Sequence, residues 1–199
     1  MGRSAGYIAA FATLGSSDVD LCVIPEVPLV LEGENGCLPH IYKRVKNKGF
    51  AVIVVAEGAG EELLGTSAET DASGNKKLPA IGDFMKKSVE TYFKKKGETA
   101  TVKYIDPSYM VRSVPANSAD NIYCTQLAQN AVHGAMAGFT GFSVGLCNNK
   151  MVMLPIPQLV ETSPRHMKDT GKYFCRFLDK SNMLIFLKDR NSHIYAVFS

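Results

Sequence analysis

Apolar positions in the first half of the chain follow two periods, one typical of amphipathic helices and one typical of buried strands. Largely apolar runs predict strands at 19–24 and 50–56. Apolar residues three and four positions apart predict helices at 6–14, 38–48 and 78–96. Pro25 stops the first strand, and Gly49 is a typical end signal for the second helix.

The second half continues this alternation with one long helix and several short strands. The predicted strands are 100–105, 142–146 and 151–156, and the predicted helix is 118 to about 137. Ser118 is a plausible N-cap for that helix, and Asn148-Asn149 is a turn signal between the last two strands. Residues 65–77 are polar and predict a loop.

Strands that alternate with helices predict an α/β fold with an open, largely parallel sheet flanked by helices. The pattern indicates one compact domain to about residue 180. The final apolar stretches, 184–187 and 194–198, have no evident partner in this pattern.

Composition and charge exclude several classes of protein. The chain has 199 residues, with 22 Lys plus Arg against 19 Asp plus Glu, and this net charge of +3 is too mild to indicate nucleic-acid binding. The longest uncharged apolar runs are about ten residues, too short to span a membrane. The five cysteines are widely spaced without a Cys-x-x-Cys pair, which disfavours a disulfide framework or a zinc site. Reduced thiols fit the cytosol or a plastid stroma.

Acidic residues follow three of the predicted strands. They are Glu26, Glu57 and Asp106. In an open α/β sheet ligands bind outside the carboxyl ends of the strands, so three carboxylates at one edge suit a polyhydroxylated ligand. Arg3 and Arg112 are guanidiniums that could bind its phosphate.

Simpler interpretations of the same residues remain open. A glutamate after a strand is more often an N-cap or a solvated edge residue, Tyr109 could be a half-buried loop anchor, and Arg112 could pair with Asp106. Gly58-Ala59-Gly60 could bring backbone close to a ligand, although a tight turn explains it equally well. It is not a dinucleotide fingerprint, because the third glycine is missing.

The small residues around His133 favour close packing, with the histidine as a satisfied interior group rather than a metal ligand. They form the run His133-Gly134-Ala135-Met136-Ala137-Gly138.

Several motifs, in the right order over roughly residues 1–160, resemble 6-phosphofructokinase, and those after residue 102 resemble its long, plant-type ATP-dependent branch. They are Met1-Gly2-Arg3, Ile24-Pro25-Glu26, Val55-Ala56-Glu57-Gly58-Ala59-Gly60, the run from Lys103 to Arg112, Ala119 to Cys124, and Ala131 to Gly138.

This resemblance implies a role for each matching residue. Met1, Gly2 and Arg3 would bind fructose 6-phosphate, with Arg3 also acting catalytically at the transferring phosphoryl group. Glu57 would contact sugar hydroxyls. The element Tyr109-Met110-Val111-Arg112 would hold the sugar and its 6-phosphate. Lys103 matches a basic position that reaches a neighbouring subunit's substrate in oligomers, whereas Glu26 receives no firm role.

Two family motifs have no match in this sequence: the glycine-rich nucleotide loop and the aspartate motif that supplies the catalytic base and holds magnesium. We therefore expect residues 1–182 to be the C-terminal, fructose 6-phosphate-binding part of a phosphofructokinase domain, and 183–199 to be a divergent tail or a misread gene end. The resemblance implies ATP and Mg²⁺ in the complete enzyme, with their ligands outside this chain.

The chain alone is expected to be inactive, homo-oligomeric, and cytoplasmic or plastidic, with neither nucleic-acid nor membrane partners. The alternatives are pyrophosphate as the phosphoryl donor, or a non-catalytic regulatory subunit that binds sugar phosphate.

Overall fold

A computed structural model of the chain describes residues 5–16, 18–65, 70, 74, 78–162, 166–168, 171 and 174–177. At positions 108, 112 and 162 it describes the backbone only. Most of the predicted loop at 65–77 and all of the predicted tail at 183–199 lie outside this part of the chain, so both stay predictions. Helices α1 to α7 and strands β1 to β4 are numbered below in chain order.

The chain forms two compact units, each described here by itself. The first unit comprises residues 1–105 and 165–199, and the second comprises residues 106–164. The first unit is therefore discontinuous in sequence, because the chain returns to it after residue 164. This division does not test the predicted domain boundary at residue 182.

A pair of short parallel strands lies at the centre of the first unit. The strands are β1 (Leu21–Val23) and β2 (Ile53–Val55). Leu21 lies opposite Ile53, and Val23 lies opposite Val55. The predicted parallel arrangement of these two strands is confirmed, although both are shorter than their apolar runs.

The helices numbered in the described part of this unit surround the strand pair. They are α1 (Tyr7–Gly15), α2 (Cys37–Lys48), α3 (Glu61–Leu64) and α4 (Ile81–Lys95). Helix α2 ends at Gly49, whose φ of 84° is the left-handed conformation that glycine adopts without steric cost.

Helix α4 buries a stripe of residues four positions apart, as its sequence period predicts. They are Ile81, Met85, Val89 and Phe93. Met167, Phe174 and Phe177 from the returning segment complete the same core.

The second unit is a long helix packed on a hairpin, with a short helix on either side. Its elements are α5 (Ser108–Ser113), α6 (Ser118–Met136), β3 (Phe142–Cys147), β4 (Lys150–Pro155) and α7 (Ile156–Thr162). Strands β3 and β4 are antiparallel and joined through Asn148 and Asn149, both at positive φ (49° and 60°), as the turn signal predicts.

At Gly134, helix α6 approaches the hairpin closely. A β-carbon there would lie 2.7 Å from Phe142 Cζ and 2.9 Å from Met153 Cε. The prediction of close packing around Gly134 is confirmed, but the interior position of His133 is wrong, because that side chain is exposed. The N-cap of α6 is Asn117 rather than Ser118, with the Asn117 side chain accepting from Asp120 N at 2.9 Å.

The strand predicted at 100–105 is also wrong, since these residues are all described and form no strand. Val102 is half-buried against the core, and the Tyr104 ring lies directly over Gly82. Side-chain packing therefore holds this segment where backbone pairing was expected, a distinction that an apolar run alone does not make.

Among the helices that the structure describes, none is long and apolar enough to cross a membrane.

Candidate functional site

The carboxyl ends of β1 and β2 meet at one edge of the first unit. The strands are parallel and in register, and Ala56 N donates to Val23 O at 2.8 Å just beyond β2. Glu26 and Glu57 follow these strands and therefore leave the sheet at the same edge. The sequence predicted this placement for both glutamates.

Asp106 does not join them as the end of a third strand, because the segment before it forms no strand. It is exposed and begins the second unit. The expectation that three consecutive strands carry carboxylates to one edge is therefore wrong for its third member.

Glu57 is exposed at the start of a tight turn that leads into α3. Gly58 and Gly60 have φ values of 86° and 68°, which favour glycine. Gly60 is buried, and a β-carbon there would lie 3.0 Å from Ile81 Cδ1 and 3.1 Å from Leu29 Cδ2. The turn and its packing thus explain both glycines, and Glu57 is the polar side chain that this turn presents to solvent.

Glu26 is half-buried and engaged by backbone amides. Gly6 N donates to both of its carboxylate oxygens, at 2.9 and 3.1 Å. Met167 N donates to Oε1 at 2.9 Å. Sequence reasoning gave Glu26 no firm role. A glycine just before an apolar helix, together with a glutamate just after a strand, was the only signal for this contact.

Lys103 is exposed in the segment that was predicted as the third strand, still within the first unit. Tyr109, Met110 and Val111 lie on α5 of the second unit, and their side chains are 83%, 55% and 48% exposed. Tyr109 is thus not the half-buried loop anchor of the simpler interpretation.

The backbone of Arg112 lies on α5, one helical turn after Tyr109. Met1, Gly2 and Arg3 lie outside the described residues. The predicted site residues are thus divided between the two units, and their convergence on one ligand stays a prediction.

No group of three or more His, Cys, Asp or Glu side chains in the described ranges could hold a metal ion.

A comparison with known protein families identifies the family of this chain. The family model "Phosphofructokinase" matches residues 1–135, which is more than half of the chain. The chain belongs to the phosphofructokinase family. The resemblance inferred from the motifs is confirmed.

Curated relatives in this family share nearly half of their aligned residues with the chain. An ATP-dependent 6-phosphofructokinase (number 7) of Arabidopsis thaliana is 47% identical over 195 residues, covering 96% of this chain and 40% of its own length. The ATP-dependent 6-phosphofructokinase of Amycolatopsis methanolica is 46% identical over 162 residues, covering 78% of this chain and 35% of its own. The chain thus spans about two fifths of the plant relative.

Among solved structures, a pyrophosphate-dependent phosphofructokinase from Marinobacter aquaeolei superposes with a TM-score of 0.61. The superposition covers 93% of this chain and 46% of the Marinobacter chain, and the two are 19% identical in sequence. This similarity shows the fold alone, and it confirms the predicted open α/β class of the phosphofructokinase type.

Proposed function

We propose that this chain is the fructose 6-phosphate-binding portion of an ATP-dependent 6-phosphofructokinase. The observation that carries the proposal is the 47% identity to an ATP-dependent enzyme over 96% of the chain, in a sequence that retains the family's acceptor-side motifs. In the complete reaction the 1-hydroxyl oxygen of fructose 6-phosphate attacks the γ-phosphorus of ATP. The bond to ADP breaks, and the hydroxyl proton is lost to a base.

The proposed roles divide between sugar and phosphate. The exposed Glu57 carboxylate accepts hydrogen bonds from sugar hydroxyls. Tyr109 and Arg112, one turn apart on α5, hold the sugar and its 6-phosphate together with Met110 and Val111. Arg is suited to this phosphate because its guanidinium can donate two parallel hydrogen bonds to it.

The remaining roles concern the reacting end and the oligomer. Met1 and Gly2 bind the sugar phosphate, and Arg3 stabilises charge that develops on the transferring phosphoryl group. Lys103 reaches the substrate of a neighbouring subunit in a homo-oligomer. Its exposure in the first unit is compatible with that role.

The donor side of the reaction is supplied from outside this chain. Phosphoryl transfer needs a phosphate cradle, magnesium ligands and a base for the attacking hydroxyl. The glycine-rich loop and the aspartate motif that serve these tasks in the family have no match in this sequence. We therefore expect the chain alone to bind its acceptor and to perform no turnover.

ATP is proposed as the donor because the similar curated relatives are named ATP-dependent. The pyrophosphate-dependent structure shares only the fold. The compartment is the cytosol or a plastid, and two further Arabidopsis relatives, each 44% identical, are named chloroplastic.

A reconstitution assay tests the whole proposal. Purified chain is mixed with the separately expressed amino-terminal portion of the Arabidopsis relative, and fructose 1,6-bisphosphate is followed by a coupled assay. We expect no product from either part alone, and ATP-dependent product from the mixture that disappears with Arg3→Ala. Robust turnover by the chain alone would contradict the proposal. Sugar-phosphate binding without turnover in the mixture would favour a non-catalytic subunit.

A further inference from the structure

The second unit has no buried apolar side chain among its described residues. Between residues 106 and 164, the described residue that is buried is Gly134, and glycine carries no side chain. The first unit, in contrast, buries side chains such as Leu21, Ile41 and Phe93 in one core. Burial of apolar surface is the main favourable contribution to folding, and a two-stranded hairpin is at most marginally stable by itself. The second unit therefore needs a further surface against which to complete a core.

Helix α6 presents apolar or neutral residues on both of its faces. Gly134 faces the hairpin, and the half-buried Leu127 and Ala131 lie on the same face at helical spacing. The opposite face, called here the outer face of α6, consists of exposed residues at alternating spacings of three and four: Ile122, Thr125, Gln129, Val132 and Met136. This is the spacing with which a helix packs along a second element.

The outer face of α6 also lacks the charges that a solvent-facing helix carries. Asp120, in the first turn, is the only Asp, Glu, Lys or Arg of α6. Helix α4 is shorter, has one buried stripe and carries many such residues, namely Asp83, Lys86, Lys87, Glu90, Lys94 and Lys95. A helix that is uncharged all round is typical of a protein interior. The outer face of α6 is therefore suited to contact with protein rather than with water.

The relatives contain an additional chain portion of suitable size. The aligned residues make up 40% of the Arabidopsis relative and 46% of the Marinobacter chain, so more than half of each lies outside the match. A second copy of this chain would cover one patch through a two-fold contact. Exposed apolar side chains lie on several elements of the second unit, including Met136 on α6, Leu146 on the hairpin and Val160 on α7. A chain portion longer than this one fits that distribution better than a single two-fold contact.

We propose that the outer face of α6 is the docking surface for the remaining portion of the phosphofructokinase chain, the portion that supplies the donor side of the reaction. The second unit completes its core on that portion. Because α5 of the same unit carries Tyr109 and Arg112, docking on α6 attaches the donor portion to the unit proposed to hold the 6-phosphate. The inference rests on the proposed function of the chain and adds the surface through which the two portions assemble.

Binding of the separately expressed amino-terminal portion of the Arabidopsis relative to the purified chain tests this surface. Val132→Lys and Met136→Lys should each weaken the complex by about tenfold or more, as measured by biolayer interferometry, because the lysine would be buried without a partner. Val132 and Met136 are 61% and 83% exposed in this chain, so neither lysine should disturb its folding.

Val30→Lys is the matched control. Val30 is a 43% exposed valine of the first unit, so its replacement makes the same change of size and charge in a different unit. This variant should bind the amino-terminal portion as tightly as the unmodified chain does.

Hydrogen exchange followed by mass spectrometry tests whether docking completes the second unit. In the chain alone, the amides of α6 should exchange faster than those of α4, because no buried apolar side chain of the described second unit protects them. Addition of the amino-terminal portion should slow exchange across α6 by about tenfold or more, and should slow it less across α4.

The outcomes separate this inference from the proposed function. Unchanged affinity in both lysine variants, or no complex with the unmodified chain, would overturn the inference. Loss of self-association in these variants, with the complex retained, would assign the outer face of α6 to a second copy and would overturn it as well. In each of these cases, binding of fructose 6-phosphate by the unmodified chain would leave the proposed function standing. A complex that requires the outer face of α6 but performs no turnover would support the inference and overturn the proposed function.

Discussion

Arg44 donates two hydrogen bonds to one carboxylate oxygen of Asp20, from Nε at 3.0 Å and from Nη2 at 2.6 Å. The second oxygen of Asp20 accepts from Val52 N at 3.0 Å, and Lys48 Nζ lies 3.5 Å from the first. The Asp20 side chain is only 3% exposed. This buried carboxylate connects the start of β1 to helix α2 and to Val52, the residue just before β2.

Replacing Asp20 should therefore destabilise the first unit. Asp20→Asn keeps the shape but leaves Arg44 and Lys48 without their partner charge, so we expect the free energy of unfolding to fall by about 1–3 kcal/mol. Urea unfolding at neutral pH measures this. Asp18→Asn is the control, because Asp18 is exposed two positions earlier and its loss should have no measurable effect. Equal stability of the two variants would contradict the assigned role of Asp20.

The contribution of Asp20 should also depend on pH. Burial alone would raise the pKa of Asp20, but hydrogen bonds from Val52 and Arg44, and the charges of Arg44 and Lys48, outweigh it and hold the pKa below its ordinary value of 3.8. A lowered pKa means that the stabilisation is complete well above pH 3.8 and is lost as the pH falls below it. The stability difference between the unmodified chain and Asp20→Asn should shrink over that acidic range. A difference independent of pH would contradict this.

The sequence pattern predicted the four longer helices, α1, α2, α4 and α6, and the parallel strand pair, because these follow local periodicity. The short helices α3, α5 and α7 were not predicted. The helix end at Gly49 and the Asn148-Asn149 turn have equally local causes, namely positive φ angles. The strand predicted at 100–105 does not form; Ala100 and Val102 pack against the core by their side chains, whereas Ile105 is exposed. The two-unit division was not predicted, since the return of Phe174 and Phe177 to the first core depends on contacts between distant parts of the chain.

Alanine substitution of two glycines, Gly6 and Gly15, tests the close contact between Gly6 and Ile24. Gly6→Ala should destabilise the chain by about 1–3 kcal/mol, because its β-carbon would overlap Ile24 Cβ, an atom that moves only with the backbone. Gly15→Ala, at the end of the same helix, meets nothing within 4 Å and should be neutral or stabilising by about 0.4–1 kcal/mol. Thermal melts compare the two, and equal shifts would contradict the packing at Gly6.

The sequence predicted the positions of only some of the candidate site residues. The placement of Glu57 at the carboxyl edge could be inferred from sequence, because a residue after a parallel strand must leave the sheet at its carboxyl end. The contacts of Glu26 could not, since its partners Gly6 and Met167 are brought together only by the tertiary fold. The roles of Tyr109 and Arg112 came from the family resemblance, because exposure on a short helix does not by itself indicate a ligand.

Exposed cysteine thiols should react faster than buried ones. Burial raises the pKa of Cys22 to about 11, with the Glu26 charge adding to the shift, and burial raises the pKa of Cys37 to about 12. Cys124 and Cys147 are exposed. In mildly alkaline buffer, iodoacetamide should modify the exposed pair rapidly and the buried pair only after denaturant is added, as read by peptide mass spectrometry. Rapid native labelling of Cys22 would contradict the buried core around β1.

Glu57 and Arg3 should affect different kinetic parameters in the reconstituted enzyme. Glu57 is proposed to meet hydroxyls already present in the ground state, so Glu57→Gln should raise the KM for fructose 6-phosphate while kcat stays nearly constant. Arg3 is proposed to meet charge that develops during transfer, so Arg3→Ala should mainly lower kcat. Steady-state kinetics at varied fructose 6-phosphate distinguish them. Equal losses confined to kcat would contradict this division.

The affinity of the purified chain for fructose 6-phosphate, measured by phosphorus NMR titration with and without Arg112, tests the central claim most directly. Arg112→Ala should weaken binding by one to two decades, a loss of about 1.5–3 kcal/mol, because a charge-assisted hydrogen-bonded pair to the 6-phosphate is removed. Arg112→Lys should retain only part of the affinity that Arg112→Ala loses, since a lysine cannot donate in the bidentate geometry. Lys150→Ala, which removes an exposed cation from the hairpin of the same unit, should bind like the unmodified chain. Saturable binding that is lost with Arg112 and kept in the Lys150 variant is the predicted result; equal affinities in all the variants, or no binding by the unmodified chain, would contradict the account.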